Sequence, residues 1–290
     1  MSDAPILAFT GERFTPECVR EIWYEHMHRY AFALPLARGK RVLDAACGEG
    51  YGSALLAGAA DRIVGADISH EAVGHARSRY GAIPNLSFVE ADCTALDELP
   101  SASFDLIVSF ETLEHVEAQE RMLDGFARLL SEDGVLLVST PDKHNYTDAT
   151  GQVNEFHVRE LYRPEFEALL APRFPAVRLF AQKLLFQSAL WEVGQGAARN
   201  DFAASTQRDD GGLVEKLDYP PLYYIAACAR RAELLDALPA HHFFGDKAES
   251  VYSHYNEEVR RHIAAGLMLR DRDAEIERLR ARIAELEARA

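Results

Sequence analysis

The chain has 290 residues, of which 48% are hydrophobic, and its 46 acidic and 31 basic residues give a formal net charge of −15. This length is enough for one main globular domain with a small appendage. The negative charge opposes binding to phosphate backbones and therefore disfavours a nucleic-acid substrate.

The N-terminal sequence lacks the basic start and the apolar run of a secretory signal, and no stretch reaches the roughly 20 apolar residues that span a bilayer. The cysteines have no C-x-x-C spacing, which is typical of reduced thiols rather than of a disulfide framework or a zinc site. They are Cys18, Cys47, Cys93 and Cys228. These features predict a cytoplasmic protein without a transmembrane segment.

The first predicted element is a helix from Pro16 to Leu34, with its proline near the first turn. One face is rich in aromatic and histidine side chains, namely Trp23, Tyr24, His26, His28 and Tyr30. Such a helix either covers a ligand pocket or packs on the edge of a sheet, where its rings are half-buried contacts. We predict an N-terminal helical cap over residues 1–38.

From Lys40 onward, strands alternate with helices, a pattern that predicts a parallel sheet covered by helices on both faces. The predicted strands are Arg41–Asp44, Ile63–Asp67, Leu86–Glu90, Phe104–Ser109, Gly134–Ser139, Val177–Gln182 and Tyr223–Ala229. They predict an α/β domain over residues 39–232, with a Rossmann-like, doubly wound, seven-stranded and mostly parallel sheet.

Two segments depart from this alternation. The segment from Glu192 to Pro221 is long, polar and glycine-rich, which predicts a mobile substrate loop. Residues 233–254 predict a linker, and residues 255–290 predict a coiled-coil helix.

In the predicted coiled coil, apolar residues recur at heptad positions a and d, and Arg272 interrupts them once. They are Leu269, Ile276, Leu279, Ile283 and Leu286. An isolated helix of this length is marginal in water, so it requires a partner helix, in another subunit or on the domain itself. Isoleucine at a with leucine at d favours two parallel strands, and we expect a homo-oligomer. The heptads run up to Ala290, as in a fragment of a longer chain.

The sequence VLDAACGEGYG, from Val42 to Gly52, carries the strongest ligand-binding signal. A strand ends in Asp44 and turns through several glycines into a helix, so the backbone can approach a ligand closely. A dinucleotide site has glycine near the strand end, because a carboxylate beside a pyrophosphate costs electrostatic energy. Asp44 instead favours a ligand with cationic groups, and S-adenosylmethionine carries a sulfonium and an ammonium but no phosphate.

Two further acids end the next two predicted strands. Asp67 lies 23 residues after Asp44, close to the roughly 20 expected of a ribose-binding acid. Asp92 can accept from the adenine amino group, and Cys93 offers its backbone N–H. For each acid alone the alternative explanation is a helix N-cap, a position that aspartate also favours. Three acids at three successive strand ends predict a cofactor site.

The D-x-x-C-G-x-G turn and the segment FDLIVSFETLEHV resemble the class I S-adenosylmethionine-dependent methyltransferases, over roughly Gly11 to Arg230. The resemblance implies ten cofactor-binding residues. Those at the methionine end are Asp44, Ala46, Gly48 and Gly50. Those at the ribose are Asp67 and Ile68, those at the adenine are Asp92 and Cys93, and those flanking the sulfonium are Ser109 and Phe110.

The sequence ETLEH, with Glu111, Glu114 and His115, follows the fourth strand at the edge where open α/β sheets bind ligands. If the segment is helical, these three residues share one face. The E-x-x-E-H pattern resembles that of the ubiquinone-biosynthesis O-methyltransferases, which implies that the three residues hold a divalent metal such as Mg²⁺. Alternatively, His115 is a general base without metal, or Glu114 and His115 only orient the loop.

A polar segment follows the fifth strand and suits a polyol or sugar acceptor. Its side chains include His144, Asn145, Asn154, Glu155 and His157. Its histidines either supply a base or satisfy loop carbonyls, and among the catalytic candidates His157 ranks behind His115 and Glu114.

The spans GERFTPE, YEHMHRYAFA and NEFHVRELY, together with the helical tail, resemble methyltransferases of bacterial cell-surface polysaccharide pathways. This resemblance implies O-methylation of a hydroxyl on a sugar or a glycan terminus. A sugar hydroxyl is a very weak acid, so its methylation requires a base or a metal. The alternatives are methylation of a phenol or other small secondary metabolite, and a non-catalytic S-adenosylmethionine-binding scaffold assembled through the coiled coil.

Overall fold

The computed structural model describes residues 21–190 and 202–289. Residues 16–20 of the predicted N-terminal helix and residues 192–201 of the predicted loop lie outside the described residues. The chain divides into two compact units, Met1–Phe244 and Gly245–Ala290.

The helices are α1 (Glu21–Ala37), α2 (Tyr51–Ala57), α3 (His70–Tyr80), α4 (Gln119–Leu129), α5 (Arg163–Leu170) and α6 (Ser250–Glu287). The strands are β1 (Arg41–Ala45), β2 (Arg62–Asp67), β3 (Leu86–Glu90), β4 (Phe104–Ser109), β5 (Leu130–Pro141), β6 (Ala176–Gln182), β7 (Thr206–Gln207), β8 (Leu213–Val214) and β9 (Tyr223–Ala229). Among these helices, none combines the length and hydrophobicity that a bilayer span needs.

Seven strands form one sheet in the order β3-β2-β1-β4-β5-β9-β6. Strands β1 to β5 pair in parallel, and β9 runs antiparallel to both β5 and β6. The predicted Rossmann-like, seven-stranded, mostly parallel sheet is therefore confirmed. The strand order reverses between β1 and β4, which is the point where open α/β sheets bind ligands.

The central strands are apolar on both faces because helices cover both sides of the sheet. In β1, Val42 belongs to one hydrophobic cluster and Leu43 to the other. Helix α4 closes the second cluster with one apolar face, made by Met122, Leu123, Phe126 and Leu129, all of them buried. This spacing of one and two helical turns is the reason that α4 packs on the sheet.

The described part of the predicted substrate loop contains a small hairpin. Strands β7 and β8 pair antiparallel, and Gly211 in the turn between them has a φ of +84°. The sequence DDGG supplies this turn, because glycine adopts positive φ at little cost. The polar, glycine-rich sequence predicts only a loop here, because strands of two residues leave no alternating pattern to detect.

The glycine-rich turn between β1 and α2 is set by backbone conformation and close packing. Gly50 has a φ of +90°, and a Cβ there would lie 2.7 Å from the Phe88 ring. We expect Gly50→Ala to lower the free energy of unfolding by about 2 to 4 kcal/mol, through backbone strain and overpacking.

Gly74 provides a matched control for this substitution. It lies inside α3, and a Cβ there would meet nothing within 4 Å. We expect Gly74→Ala to raise the free energy of unfolding by about 0.5 to 1 kcal/mol, because alanine is the better helix former. Urea denaturation of both variants measures the difference. Equal stabilities would contradict the role of the turn at Gly50.

Candidate functional site

A cavity of about 660 Å³ opens at the carboxyl ends of β1 to β4, a volume within the roughly 300–1,000 Å³ usual for ligand pockets. Most of the predicted site residues line it, namely Ala46, Gly48, Asp67, Ile68, Asp92, Cys93, Phe110, Glu111, Glu114, His115 and His157. Residues from α1 line it too, including Ile22 and His26. The sheet topology therefore brings separate sequence motifs to one site.

Two non-glycine residues at this edge have positive φ, Ala46 at +61° and Glu111 at +50°. Ala46 follows β1 and Glu111 follows β4, the two strands on either side of the topological switch. Such conformations cost about 1 to 3 kcal/mol each and concentrate at functional sites. The backbone strain at these two residues therefore supports a functional site at this edge of the sheet.

Asp67 holds the glycine-rich turn in place. One carboxylate oxygen accepts from the Gly48 backbone N–H at 2.8 Å, and the other accepts from the Ser69 backbone N–H at 2.8 Å. The carboxylate lines the cavity and has lone pairs left for two hydroxyl groups. This geometry fits the predicted ribose contact.

Asp44 differs from its predicted position. Its carboxylate is buried under the turn and does not line the cavity; it accepts from the Ser53 hydroxyl at 2.6 Å and from the Tyr30 hydroxyl at 3.1 Å. Burial raises the pKa of Asp44 to about 7. Asp44 thus links α1 and α2 to the glycine-rich turn. Because its carboxylate does not line the cavity, it does not contact a cationic ligand there directly.

Gly50 and Ser109 were also predicted to touch the cofactor, but neither lines the cavity. Gly50 packs on Phe88. Ser109 is fully buried in β4, and its hydroxyl has no hydrogen-bond partner in the described part of the chain.

The predicted adenine side of the cavity contains Asp92 and Cys93. Asp92 accepts from both the backbone N–H and the hydroxyl of Thr94 at 2.8 Å, which fixes the turn after β3. Burial raises the pKa of Cys93 to about 12, so its thiol packs rather than acts as a nucleophile. Ile68 lies largely exposed at the rim.

Glu111 does not share a helical face with Glu114 and His115. Its positive φ ends the regular backbone after β4, and only Leu113–His115 form a short 3-10 turn. The Glu111 carboxylate accepts from the Ser139 hydroxyl at 2.7 Å and lies 3.4 Å from the Arg29 guanidinium. The predicted i, i+3, i+4 relation therefore does not form.

The structure groups Glu114 with His115 and His157 instead. Candidate ligand atoms of these three residues lie within 4.8 Å of one another. Burial and the neighbouring Glu111 charge raise the pKa of Glu114 well above its ordinary value. One carboxylate oxygen of Glu114 is buried without a hydrogen-bond partner among the described residues. The third member of the cluster is therefore His157, whereas the sequence predicted Glu111 as the third metal ligand.

His115 has the geometry of a general base. Its Nδ1 lies 3.0 Å from the Phe156 carbonyl oxygen, and because a carbonyl only accepts, Nδ1 carries the hydrogen. The lone pair of the neutral ring is therefore on Nε2, which lies 3.8 Å from a Glu114 carboxylate oxygen. His115 is partly exposed and lines the cavity.

His157 is held by hydrogen bonds at both nitrogens. Nδ1 lies 2.6 Å from a Glu160 carboxylate oxygen. Nε2 lies 3.0 Å from the Asn154 amide nitrogen, whose orientation is fixed because Asn154 Oδ1 accepts from the Phe156 N–H. The ring packs against His115. His157 thus positions His115, and acting as the base would require breaking a hydrogen bond.

Arg29 is a site residue that the sequence pattern did not reveal. It is buried, donates through Nε to Gln182 at 2.8 Å and stacks over the Tyr223 ring at 4.5 Å. Its two terminal nitrogens make no hydrogen bond among the described residues. One of them nevertheless lies 3.4 Å from the carboxylate of Glu111, which lines the cavity together with Tyr223. The available signal was an arginine within an otherwise aromatic helix face.

Helix α1 combines both interpretations that the sequence left open. Ile22 and His26 line the cavity, while Phe32 packs against Phe180 of β6 at the sheet. Glu25, on the same helix, is buried, and burial raises its pKa to about 7.

Comparisons with known proteins agree with this geometry. Residues 43–138 match the methyltransferase domain family. A probable S-adenosylmethionine-dependent methyltransferase of Mycobacterium tuberculosis strain H37Rv is 37% identical over 168 residues, which cover 57% of this chain and 60% of the relative. The ubiquinone biosynthesis O-methyltransferase of Neisseria meningitidis serogroup C is 34% identical over 112 residues, covering 37% of this chain and 46% of the relative.

The chain thus spans about three fifths of the length of the mycobacterial relative. The crystal structure of the YcgJ protein from Bacillus subtilis superposes with a TM-score of 0.51 at 19% identity, covering 71% of this chain and 100% of that one. This structural likeness concerns the fold alone. Over residues 43–138 the chain is therefore similar to the methyltransferase domain family, and the mycobacterial relative is named a probable S-adenosylmethionine-dependent methyltransferase.

Proposed function

We propose that this protein is an O-methyltransferase that acts on a hydroxyl of a sugar or a glycan terminus. The observation that carries the proposal is His115, which lines the cavity and whose Nδ1–H is held by the Phe156 carbonyl oxygen, so that the lone pair of the neutral ring is on Nε2. A methyl acceptor that must lose a proton needs such a group.

The residues of the cavity fit the methyl donor. Asp67 offers a carboxylate to ribose hydroxyls, and Gly48 allows close approach of the backbone. The Arg29 guanidinium lies 3.4 Å from Glu111 and stacks on Tyr223, so it holds two residues of the cavity wall in place. S-adenosylmethionine, when bound, supplies a methyl group on a positively charged sulfur for in-line displacement.

The chain contributes alignment, proton acceptance and exclusion of water. Asp67 and the turn at Gly48 hold the methyl donor in one position. The acceptor oxygen then has to lie on the line through the methyl carbon and the sulfur. His115 Nε2 takes the hydroxyl proton as the oxygen becomes methylated. When Glu114 is ionised, its carboxylate, 3.8 Å from Nε2, stabilises the resulting imidazolium. Phe110 and Ile22 cover the cavity with apolar surface.

A sugar acceptor is supported by the polar walls beyond the predicted cofactor residues. They contain Glu117, Tyr146 and Asn154 in addition to His115 and Glu114. Carbohydrate hydroxyls both donate and accept, and these side chains offer both functions. A phenol would be better served by a flat apolar slot.

A second candidate is metal-assisted transfer at Glu114, His115 and His157. It is favoured by the closeness of their ligand atoms and by the orphaned oxygen of Glu114. Two imidazoles and one carboxylate suit Mn²⁺, Fe²⁺ or Zn²⁺ better than Mg²⁺, which prefers oxygen ligands. Calorimetric titration with these four ions, with Glu114→Gln as the control, distinguishes this candidate from the metal-free base.

We place the reaction in the cytoplasm, as the sequence predicts. Cys47, Cys93 and Cys228 are free thiols in the structure. Unpaired cysteines support a reducing compartment.

The test of the acceptor class is a panel of monosaccharides, oligosaccharides and phenols with methyl-labelled S-adenosylmethionine. We expect label on sugar hydroxyls with the wild type and labelling at least about 100-fold slower with His115→Ala. If only phenols became labelled, the proposed sugar acceptor would be wrong and the acceptor would be a small phenolic compound. Cofactor binding without turnover of any panel member would favour the non-catalytic scaffold.

A further inference from the structure

The C-terminal helix α6 carries an exposed apolar stripe. Its members are Leu269, Ile276, Leu279, Ile283 and Leu286, each about half exposed. The second unit, Gly245–Ala290, consists mostly of α6, and its described part contains no other helix or strand that could pack on these side chains. Exposed leucine and isoleucine at regular helical spacing favour a partner surface.

The stripe follows a heptad repeat. Residues 269, 276 and 283 occupy position a, residues 279 and 286 occupy position d, and Arg272 takes the remaining d position. Further toward the N-terminus of α6, exposed Val259 and Ile263 fall outside a and d. The heptad surface is therefore confined to residues 269–286, roughly 27 Å of helix at 1.5 Å per residue.

We propose that residues 269–286 of two copies of this chain pair as a parallel, in-register coiled coil. Isoleucine at a with leucine at d is the combination that packs best in parallel two-stranded coils. The inference rests on α6 alone and is independent of the proposed acceptor.

The charges beside the stripe are complementary in this arrangement. In a parallel pair, each g residue faces the e residue of the following heptad on the other helix. Glu275 then faces Arg280 of the second copy, and Arg282 faces Glu287. Within one helix these side chains make exposed pairs such as Arg282 with Glu285, which are weak and leave the side chains able to reach across.

The antiparallel alternative fits the sequence less well. Full antiparallel overlap sets Ile283 against Arg272 at both ends of the coil. Shifting the helices by one heptad avoids this contact but sets Arg280 against Arg280 and Arg282 against Arg282. The parallel pair confines Arg272 to a single layer, where its long stem can carry the guanidinium out to water.

The first test is the mass of the full chain by sedimentation. We expect twice 32.4 kDa for the wild type and the mass of one chain for Ile276→Lys with Ile283→Lys. The matched control is Ala274→Lys with Ala281→Lys, which adds the same charge at outer f positions and should keep the double mass. A single-chain or triple mass for the wild type would overturn the proposal.

The second test separates the two orientations. In a parallel pair, Glu275→Arg places two arginines together and should raise the dissociation constant by about tenfold. Adding Arg280→Glu restores the opposite charges and should restore pairing. In the fully overlapped antiparallel pair, the arginine introduced at position 275 lies opposite Arg282, and the glutamate introduced at position 280 lies opposite Asp273. The double variant then has like charges at both positions. Weaker pairing of the double variant than of the single one would therefore overturn the parallel orientation.

Discussion

Replacing His115 by alanine is expected to lower the rate of methyl transfer by about 100- to 10,000-fold, the usual contribution of general base catalysis. The affinity for S-adenosylmethionine should stay unchanged, because the proposed ribose contact is Asp67, whose carboxylate is held by the Gly48 and Ser69 N–H groups and not by His115. Single-turnover kinetics with labelled cofactor measure the rate, and calorimetry measures the affinity. A variant with the rate of the wild type would remove His115 from catalysis.

Two companions sharpen this experiment. His70→Ala is the control, because His70 is largely exposed and pairs with the surface residue Glu90. His157→Ala should slow the reaction less than His115→Ala, since His157 acts by holding the His115 ring. Chelating agents should leave the wild-type rate unchanged if His115 works without metal. Loss of activity on chelation, regained with one added ion, would favour the metal-assisted candidate.

Replacing Asp67 by alanine is expected to weaken S-adenosylmethionine binding by about 100- to 10,000-fold. The carboxylate offers two charge-assisted hydrogen bonds to ribose hydroxyls, each worth about 1.5 to 3 kcal/mol. Its loss also frees the Gly48 N–H and loosens the turn. Titration calorimetry with S-adenosylmethionine and with its demethylated product measures both affinities, and both should fall together because the ribose is common to them.

Asp97→Ala is the matched control for Asp67→Ala, since Asp97 is an exposed acid that pairs with Arg121 at the surface. Thermal unfolding of both variants without ligand shows how much of the effect comes from a loosened turn. Asp67→Asn keeps an acceptor for the Gly48 N–H, so it should be more stable than the alanine variant yet still bind weakly. Undiminished affinity in the alanine variant would contradict the ribose contact.

The sequence was sufficient to predict the sheet and most of the residues that line the cavity, because these depend on local signals. Apolar runs and their turns located all seven strands of the sheet. Asp67 and Asp92 were found from their places at strand ends, since parallel strands of a doubly wound sheet bring their carboxyl ends to one edge. The predicted domain boundaries, with a cap over residues 1–38 and a linker over 233–254, stay predictions.

What the sequence by itself determined is therefore the repeated βα pattern and the residues that each strand end presents. Only the tertiary structure decided that Asp44 is buried by Tyr30 and Ser53, and that His157 joins Glu114 and His115. These outcomes depend on side chains from distant segments and, for Glu111, on a positive φ after β4 that redirects the chain. The spacing of residues along a regular helix or strand cannot predict these contacts, because the residues that meet are joined by loops and by irregular backbone.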